Sequence, residues 1–160
     1  MQTADPARAN GSGGNARGDS EALDREALLA ALNELLEAER AGARLSLNTV
    51  TDAGDKRLKE LIATIHLDEV KWCGVLIAAI RALSATPSSR TGAFYEKAMA
   101  IPDLRDRMAF LNRGQAWVVR RLQSLLPRIH HPDIEAGLTE MLVAHEANIG
   151  RVDALLRAGR

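Results

Sequence analysis

Four polar residues interrupt the hydrophobic stripes of four successive helical segments: Glu39, Glu69, Gln115 and His145. Each stands near the middle of its segment, with apolar residues before and after it on the same helix face. Four helices packed side by side would bring these positions to one depth, so the spacing predicts a polar layer inside a hydrophobic bundle. Such a layer is costly unless a metal ion or a closed hydrogen-bond network satisfies it.

The stripes advance in alternating steps of four and three residues, which is typical of packed bundle helices. Because every polar member has apolar neighbours on its own face, a change of helix register would not easily move it to solvent. His66 precedes Glu69 by three residues, and Asn112 precedes Gln115 by three, so each pair shares a helix face. The stripes are Leu28, Leu32, Leu35, Glu39, Gly42, Ser46 and Val50; Leu58, Ile62, Ile65, Glu69, Trp72, Leu76, Ile80 and Leu83; Leu104, Met108, Leu111, Gln115, Val118, Leu122 and Leu125; and Ile134, Leu138, Met141, His145, Asn148, Val152 and Leu155.

The composition predicts one domain, at residues 21–158, preceded by a disordered tail. The chain has 160 residues, and residues 1–20 are rich in glycine, asparagine, serine and alanine, without the hydrophobic segment of a signal peptide. Basic and acidic residues are balanced at 21 each, which argues against nucleic-acid binding, and no apolar run is long enough for a membrane span. The lone Cys73 excludes an internal disulfide and agrees with a cytoplasmic location.

Turn residues and connector lengths predict an all-α fold built from two helical hairpins. The first helix is expected over about residues 21–51 with Ser20 as its N-cap, and the second continues to about Leu83. Pro102 and Pro132 predict starts of the third and fourth helices near 102 and 132. Residues 84–101, with a short helix inside them, can cross the whole bundle, which is the ferritin-type connection.

Several segments resemble a bacterial ferritin-like family of unknown function. They are LLEAERAGA at 35–43, IHLDE at 65–69, TGAFY at 91–95, LNRGQAWVV at 111–119 and HEAN at 145–148. The resemblance covers nearly everything after residue 24. It implies a ferritin-like four-helix bundle and brings no established reaction with it. Ferritins, rubrerythrins and di-iron oxygenases belong to the wider superfamily.

The chain departs from the di-iron pattern, in which two helices each provide a Glu and the other two each provide a Glu-x-x-His pair. Trp72 stands where the histidine partner of Glu69 belongs, and Gln115 replaces the glutamate of the third helix. His145 and Asn148 occupy the places of the Glu and the His on the fourth helix. The predicted ligands are therefore Glu39, His66, Glu69 and His145, supported by Gln115, Asn148, Asn112 and Trp72. Two carboxylates and two imidazoles suit one iron, manganese or zinc ion better than two irons.

Two function classes remain open from the sequence. In the first, the site binds one metal ion and supports redox or oxygen-related chemistry, as the resemblance implies. In the second, the bundle is metal-free and acts by forming a homo-oligomer or by binding a partner. Glu39 would then pair with protonated His145, and Gln115 with Asn148, in a polar layer that fixes the helix register.

Overall fold

The computed structural model describes residues 21–159, and the predicted tail at 1–20 lies outside the described residues. All regular secondary structure in the described range is helical. Short 3₁₀ turns at Val50–Asp52 and Leu126–Arg128 follow the first and fourth α-helices. The helices are α1 (Arg25–Thr49), α2 (Lys56–Ala82), α3 (Phe94–Met99), α4 (Leu104–Leu125) and α5 (Pro132–Ala158).

Aspartate N-caps start three of the four long helices. Asp24, Asp55 and Asp103 each accept a hydrogen bond from a backbone N–H in the first turn, at 2.7, 2.9 and 2.9 Å. The predicted starts at 21 and near 102 were therefore too early, because these carboxylates cap α1 and α4 after an extended approach. The start predicted near 132 is confirmed, since Pro132 occupies the first position of α5.

The long helices form two hairpins, α1 with α2 and α4 with α5. The hairpins join where α2 packs on α5 and where α1 packs on α4. This is the predicted ferritin-like bundle, in which the second and third long helices are joined by a crossover instead of a tight turn. Among residues 21–159, no helix combines the length and apolar character that crossing a membrane requires.

The crossover follows α1 from its first turn to its last. Arg25 donates to the Leu83 carbonyl at 2.6 Å, and the Ser88 N–H donates to Asn33 Oδ1 at 2.7 Å. Further along, Gly92 N–H donates to the Glu37 carbonyl at 3.3 Å, and Asn48 Nδ2 lies 3.0 Å from the Tyr95 hydroxyl. The contact points on α1 rise in chain order, so the connector runs in the same direction as α1 along the whole bundle.

The polar layer divides the hydrophobic core into two clusters. One cluster, around Leu32, Leu76 and Leu122, fills the end that holds the start of α1. The other, around Ile62 and Met108, fills the opposite end. The residues between them are the predicted polar positions, and all of them are buried: Glu39, Glu69, Asn112, Gln115, His145 and Asn148.

Candidate functional site

A cleft of about 520 Å³ leads from the surface between α1 and α4 to the polar layer. Its inner end is lined by the four residues whose polarity interrupts the stripes, Glu39, Glu69, Gln115 and His145. These side chains are only 2, 4, 3 and 2 % exposed. The bundle therefore brings them to one place, as the spacing predicts, at the inner end of a cleft.

Glu39 and His145 form a buried pair, with His145 Nε2 3.1 Å from Glu39 Oε1. The other ring nitrogen, Nδ1, lies 2.9 Å from the Met141 carbonyl, which can only accept, so Nδ1 carries a proton. Burial lowers the pKa of His145, but the Glu39 carboxylate and the Met141 carbonyl outweigh burial and raise the pKa overall. Without a metal, a proton on Nε2 therefore joins the two side chains.

Glu69 lies against Ser46, with Glu69 Oε2 2.9 Å from the serine hydroxyl. The same hydroxyl lies 2.9 Å from the Gly42 carbonyl. Because a hydroxyl has one hydrogen, Ser46 either shares it between the two acceptors or donates it to the Gly42 carbonyl while a protonated Glu69 donates to Ser46. Burial and the nearby Glu39 charge raise the pKa of Glu69 well above its ordinary value, which favours the same protonated form.

Gln115 is oriented by a chain of hydrogen bonds from α5. Asn112 Nδ2 donates to Asp153 Oδ1 at 2.8 Å and to the Ile149 carbonyl at 3.2 Å, so its Oδ1 faces the opposite way. That oxygen accepts from Gln115 Nε2 at 3.3 Å. Gln115 Oε1 is then left buried without a hydrogen-bond partner in the described part of the chain. Asn112 thus holds the Gln115 amide through its nitrogen and leaves the amide oxygen without a donor.

His66, Trp72 and Asn148 do not line the inner end of the cleft. His66 is half-buried, and its Nδ1 donates to the Ala43 carbonyl at 2.9 Å. The indole N–H of Trp72 is a donor only and cannot bind a metal, and it has no acceptor among the described residues. Asn148 donates to Asp68 at 2.9 Å and accepts from Arg151 at 3.3 Å, so the Gln115–Asn148 pair suggested by the sequence does not form.

Two residues of this site were not singled out from the sequence. Ser46 binds Glu69, and Gly42 leaves the space that the Glu69 carboxylate occupies. Gly42 and Ser46 stand on the first stripe, one and two turns after Glu39 respectively. Larger apolar residues would be expected at these positions in a filled core. Small residues at successive stripe positions were therefore a signal of a bulky group on the facing helix.

The inner end of the cleft combines carboxylate, amide and imidazole groups. Glu39 Oε2 and Gln115 Oε1 are buried oxygen atoms without hydrogen-bond partners in the described structure, and both residues line the same cleft end as Glu69. Acceptor oxygens beside an imidazole suit a divalent transition-metal ion. Within residues 21–159, however, no three histidine, cysteine, aspartate or glutamate side chains stand close enough together to hold an ion as placed. A second ion would also lack the histidines that Trp72 and Asn148 replace.

Comparisons with known proteins agree with this architecture. A crystal structure of "ferritin like, diiron-carboxylate proteins" from Bacillus anthracis str. Ames is similar with a TM-score of 0.72, covering 82% of this chain and 96% of that one. At 17% identity, this similarity establishes the ferritin-like fold. No curated protein matches the sequence. The family model described as a domain of unknown function, DUF6306, matches residues 26–154, and the chain therefore belongs to that family.

Proposed function

We propose that the polar layer binds one divalent iron, manganese or zinc ion. Glu39, Glu69 and His145 Nε2 would be its ligands, with Gln115 Oε1 as a fourth. The proposal is based on two buried oxygen atoms, Glu39 Oε2 and Gln115 Oε1, which have no hydrogen-bond donor in the described structure. His66, the other predicted ligand, is left out because its contact with the Ala43 carbonyl holds it away from the cleft.

Charge balance supports the proposal. In the metal-free layer, protonated Glu69 is neutral and the His145–Glu39 pair sums to zero. A divalent ion would take the place of one proton on Glu69 and one on His145, so the layer stays neutral when it is loaded. Ser46 can rotate its hydrogen from the Gly42 carbonyl to the Glu69 carboxylate in the loaded state. Buried charge therefore need not accumulate in either state.

The surrounding residues determine what such a site could do. Bound iron or manganese would supply redox chemistry with dioxygen or peroxide, and zinc would supply Lewis acidity. The cleft between α1 and α4 gives a small molecule access to the ligands. Met141 would hold His145 in the tautomer that leaves Nε2 free, and Asn112 would aim the Gln115 oxygen.

A second candidate function is a metal-free bundle that binds a second copy of the chain or another protein. The Glu39–His145 pair is satisfied without a metal. Leu67 and Val70, one turn apart on α2, are 67 and 49 % exposed, which would suit an interface. This reading leaves the unpartnered oxygen of Gln115 without a role, and we therefore rank it below the metal site.

Thermal melting of untagged protein, with and without chelator, tests the proposal. Manganese or zinc at about 100 times its dissociation constant should raise the melting temperature by about 5 to 10 °C, because the ion binds only the folded state. Glu39→Gln should abolish this increase while leaving the chelated protein folded. Glu60→Gln, an exposed Glu-to-Gln change on α2, is the matched control and should keep the increase. An identical melting temperature for wild type with metal and with chelator would favour the partner-binding bundle.

A further inference from the structure

The walls of the cleft form an apolar passage above the polar layer. Leu111, Val118 and Trp117 line it from α4, and Phe94 lines it from α3. Phe94 stacks on Phe110 with 4.7 Å between ring centroids, and it lies so close to Gly114 that a Cβ there would be 2.6 Å from its Cζ. The passage is therefore shaped by fixed aromatic side chains. Its volume lies in the range of sites that take small organic molecules.

The mouth of the cleft carries an excess of positive charge. Its two acidic residues are already paired, Glu34 with Arg121 at 2.8 Å and Glu37 with Arg90 at 3.2 Å. Arg113 and Arg120 also line the mouth, and neither forms an ion pair with any carboxylate in the described range. They stand seven residues apart on α4, about 10 Å along the helix, with Trp117 between them on the same face.

The mouth of the cleft therefore attracts negative charge more strongly than its inner end. An anionic group would be attracted to the unpaired arginines at the mouth, whereas His145 at the inner end is already paired with Glu39. An apolar group between the ends would contact Trp117, Leu111 and Phe94. A ligand that satisfies both requirements carries its charge outward and its hydrocarbon inward.

From this polarity, we propose that the cleft binds a small carboxylic acid with an aromatic or branched aliphatic body. Its carboxylate would lie between Arg113 and Arg120, and its apolar end would point toward Glu39 and Glu69. Binding of the acid is inferred from the cleft alone. A role of the acid as a substrate also requires the proposed metal site, so the two claims can fail separately.

Phenylacetate and its neutral isostere phenylacetamide are the probes, each titrated by calorimetry into chelated and zinc-loaded protein. Phenylacetate should bind at least about tenfold more tightly than the amide, because charge-assisted hydrogen bonds to arginine are the stronger kind. The double variant Arg113→Gln, Arg120→Gln should lose this preference. Arg81→Gln, an exposed arginine at the end of α2, should keep it. Circular dichroism checks that each variant is folded, and the single variants serve if the double variant is not.

The two tryptophans locate the bound acid by ¹H–¹⁵N correlation spectroscopy. The indole signal of Trp117, on the cleft, should shift with phenylacetate, whereas that of Trp72, which is 2 % exposed and outside the cleft, should not. Trp117→Phe assigns the two signals. Selective binding by the chelated protein supports the inference even if no metal binds. Equal affinities for acid and amide, or an unmoved Trp117 signal at saturation, would overturn it in both metal states.

Discussion

Gly42 on α1 and Glu69 on α2 are packed so closely that a Cβ on Gly42 would lie 2.7 Å from the Glu69 carboxyl carbon. A glycine inside a 25-residue helix costs about 0.5–1 kcal/mol relative to alanine, so this position gives up helix stability. The missing side chain leaves space between α1 and α2 for the Glu69 carboxyl group, which is 4 % exposed and contacts Ser46, one turn after Gly42. The arrangement places a titratable carboxyl group near Glu39, in the cleft that His145 also lines.

Gly42→Ala tests this relationship. The added methyl group must displace Glu69, and we expect a loss of about 1–3 kcal/mol in the free energy of unfolding together with loss of metal binding. Gly74→Ala is the matched control, because Gly74 is an exposed helical residue on α2 with open space around the position of a Cβ. This control should be neutral or more stable than wild type. Urea unfolding measures both, and equal stabilities for the two variants would show that Glu69 is not held by close packing.

The Asp153–Asn112–Gln115 chain predicts a second effect. Asn112→Asp removes the N–H groups that bind Asp153 and the Ile149 carbonyl, and it places a carboxylate next to Asp153. We expect the free energy of unfolding to fall by about 1–3 kcal/mol, since the change breaks partly buried hydrogen bonds. Metal affinity is tested with Gln115→Leu, which removes Oε1 and should weaken zinc binding, because a carboxylate at position 112 could still accept from Gln115 Nε2.

Asn48→Asp, the same substitution at an exposed position on α1, is the control and should change stability by no more than about 0.5 kcal/mol. Calorimetric titration with zinc compares Gln115→Leu with wild type. A Gln115→Leu protein that binds zinc as tightly as wild type would remove Gln115 from the ligand set.

The raised pKa values of Glu69 and His145 predict that the metal-free protein loses stability as pH rises. Their ordinary values are 4.5 and 6.5, and between these and the raised folded-state values the folded protein binds more protons than the unfolded chain. The stabilisation is therefore complete below the ordinary values and is lost as pH rises through the raised ones. Melting temperatures of chelated protein should fall from about pH 5 upward. A melting temperature that does not change with pH would contradict the raised pKa values of Glu69 and His145.

Metal should reverse the pH dependence. The ligands must be deprotonated to bind an ion, so the increase in melting temperature caused by zinc or manganese should grow with pH. The Glu69→Gln variant has no titratable group at this position. The stability of the chelated variant should therefore fall less steeply with rising pH than that of chelated wild type. Parallel melting curves across the pH range, with and without metal, measure the difference. An increase that is the same at every pH would mean that binding releases no protons.

The helix stripes and connector lengths were enough to predict the bundle. Apolar residues at steps of four and three define buried faces before any contact is known, and a segment as long as residues 84–101 cannot be a tight hairpin. Helix starts were less predictable. Asp24 and Asp103 compete with nearby serine and proline signals, and only the folded backbone decides which residue caps.

The site could be predicted only in part. Glu39, Glu69, Gln115 and His145 share one cleft because their stripe positions fix both depth and face. His66 has the correct spacing from Glu69, but the rotation of α2 turns it toward the Ala43 carbonyl, and spacing along one helix does not define that rotation. The contact of Asn148 with Asp68 is likewise set by how α5 packs on α2, which no local pattern encodes.

Anomalous diffraction from crystals grown with manganese or zinc would show whether the polar layer holds an ion. We predict one peak per chain in the polar layer, about 2.0–2.2 Å from oxygen atoms of Glu39 and Glu69 and from His145 Nε2. The His145–Glu39 contact of 3.1 Å should open to admit the ion. A crystal saturated with metal that shows no peak in this layer, and that retains the direct His145–Glu39 pair, would contradict the account.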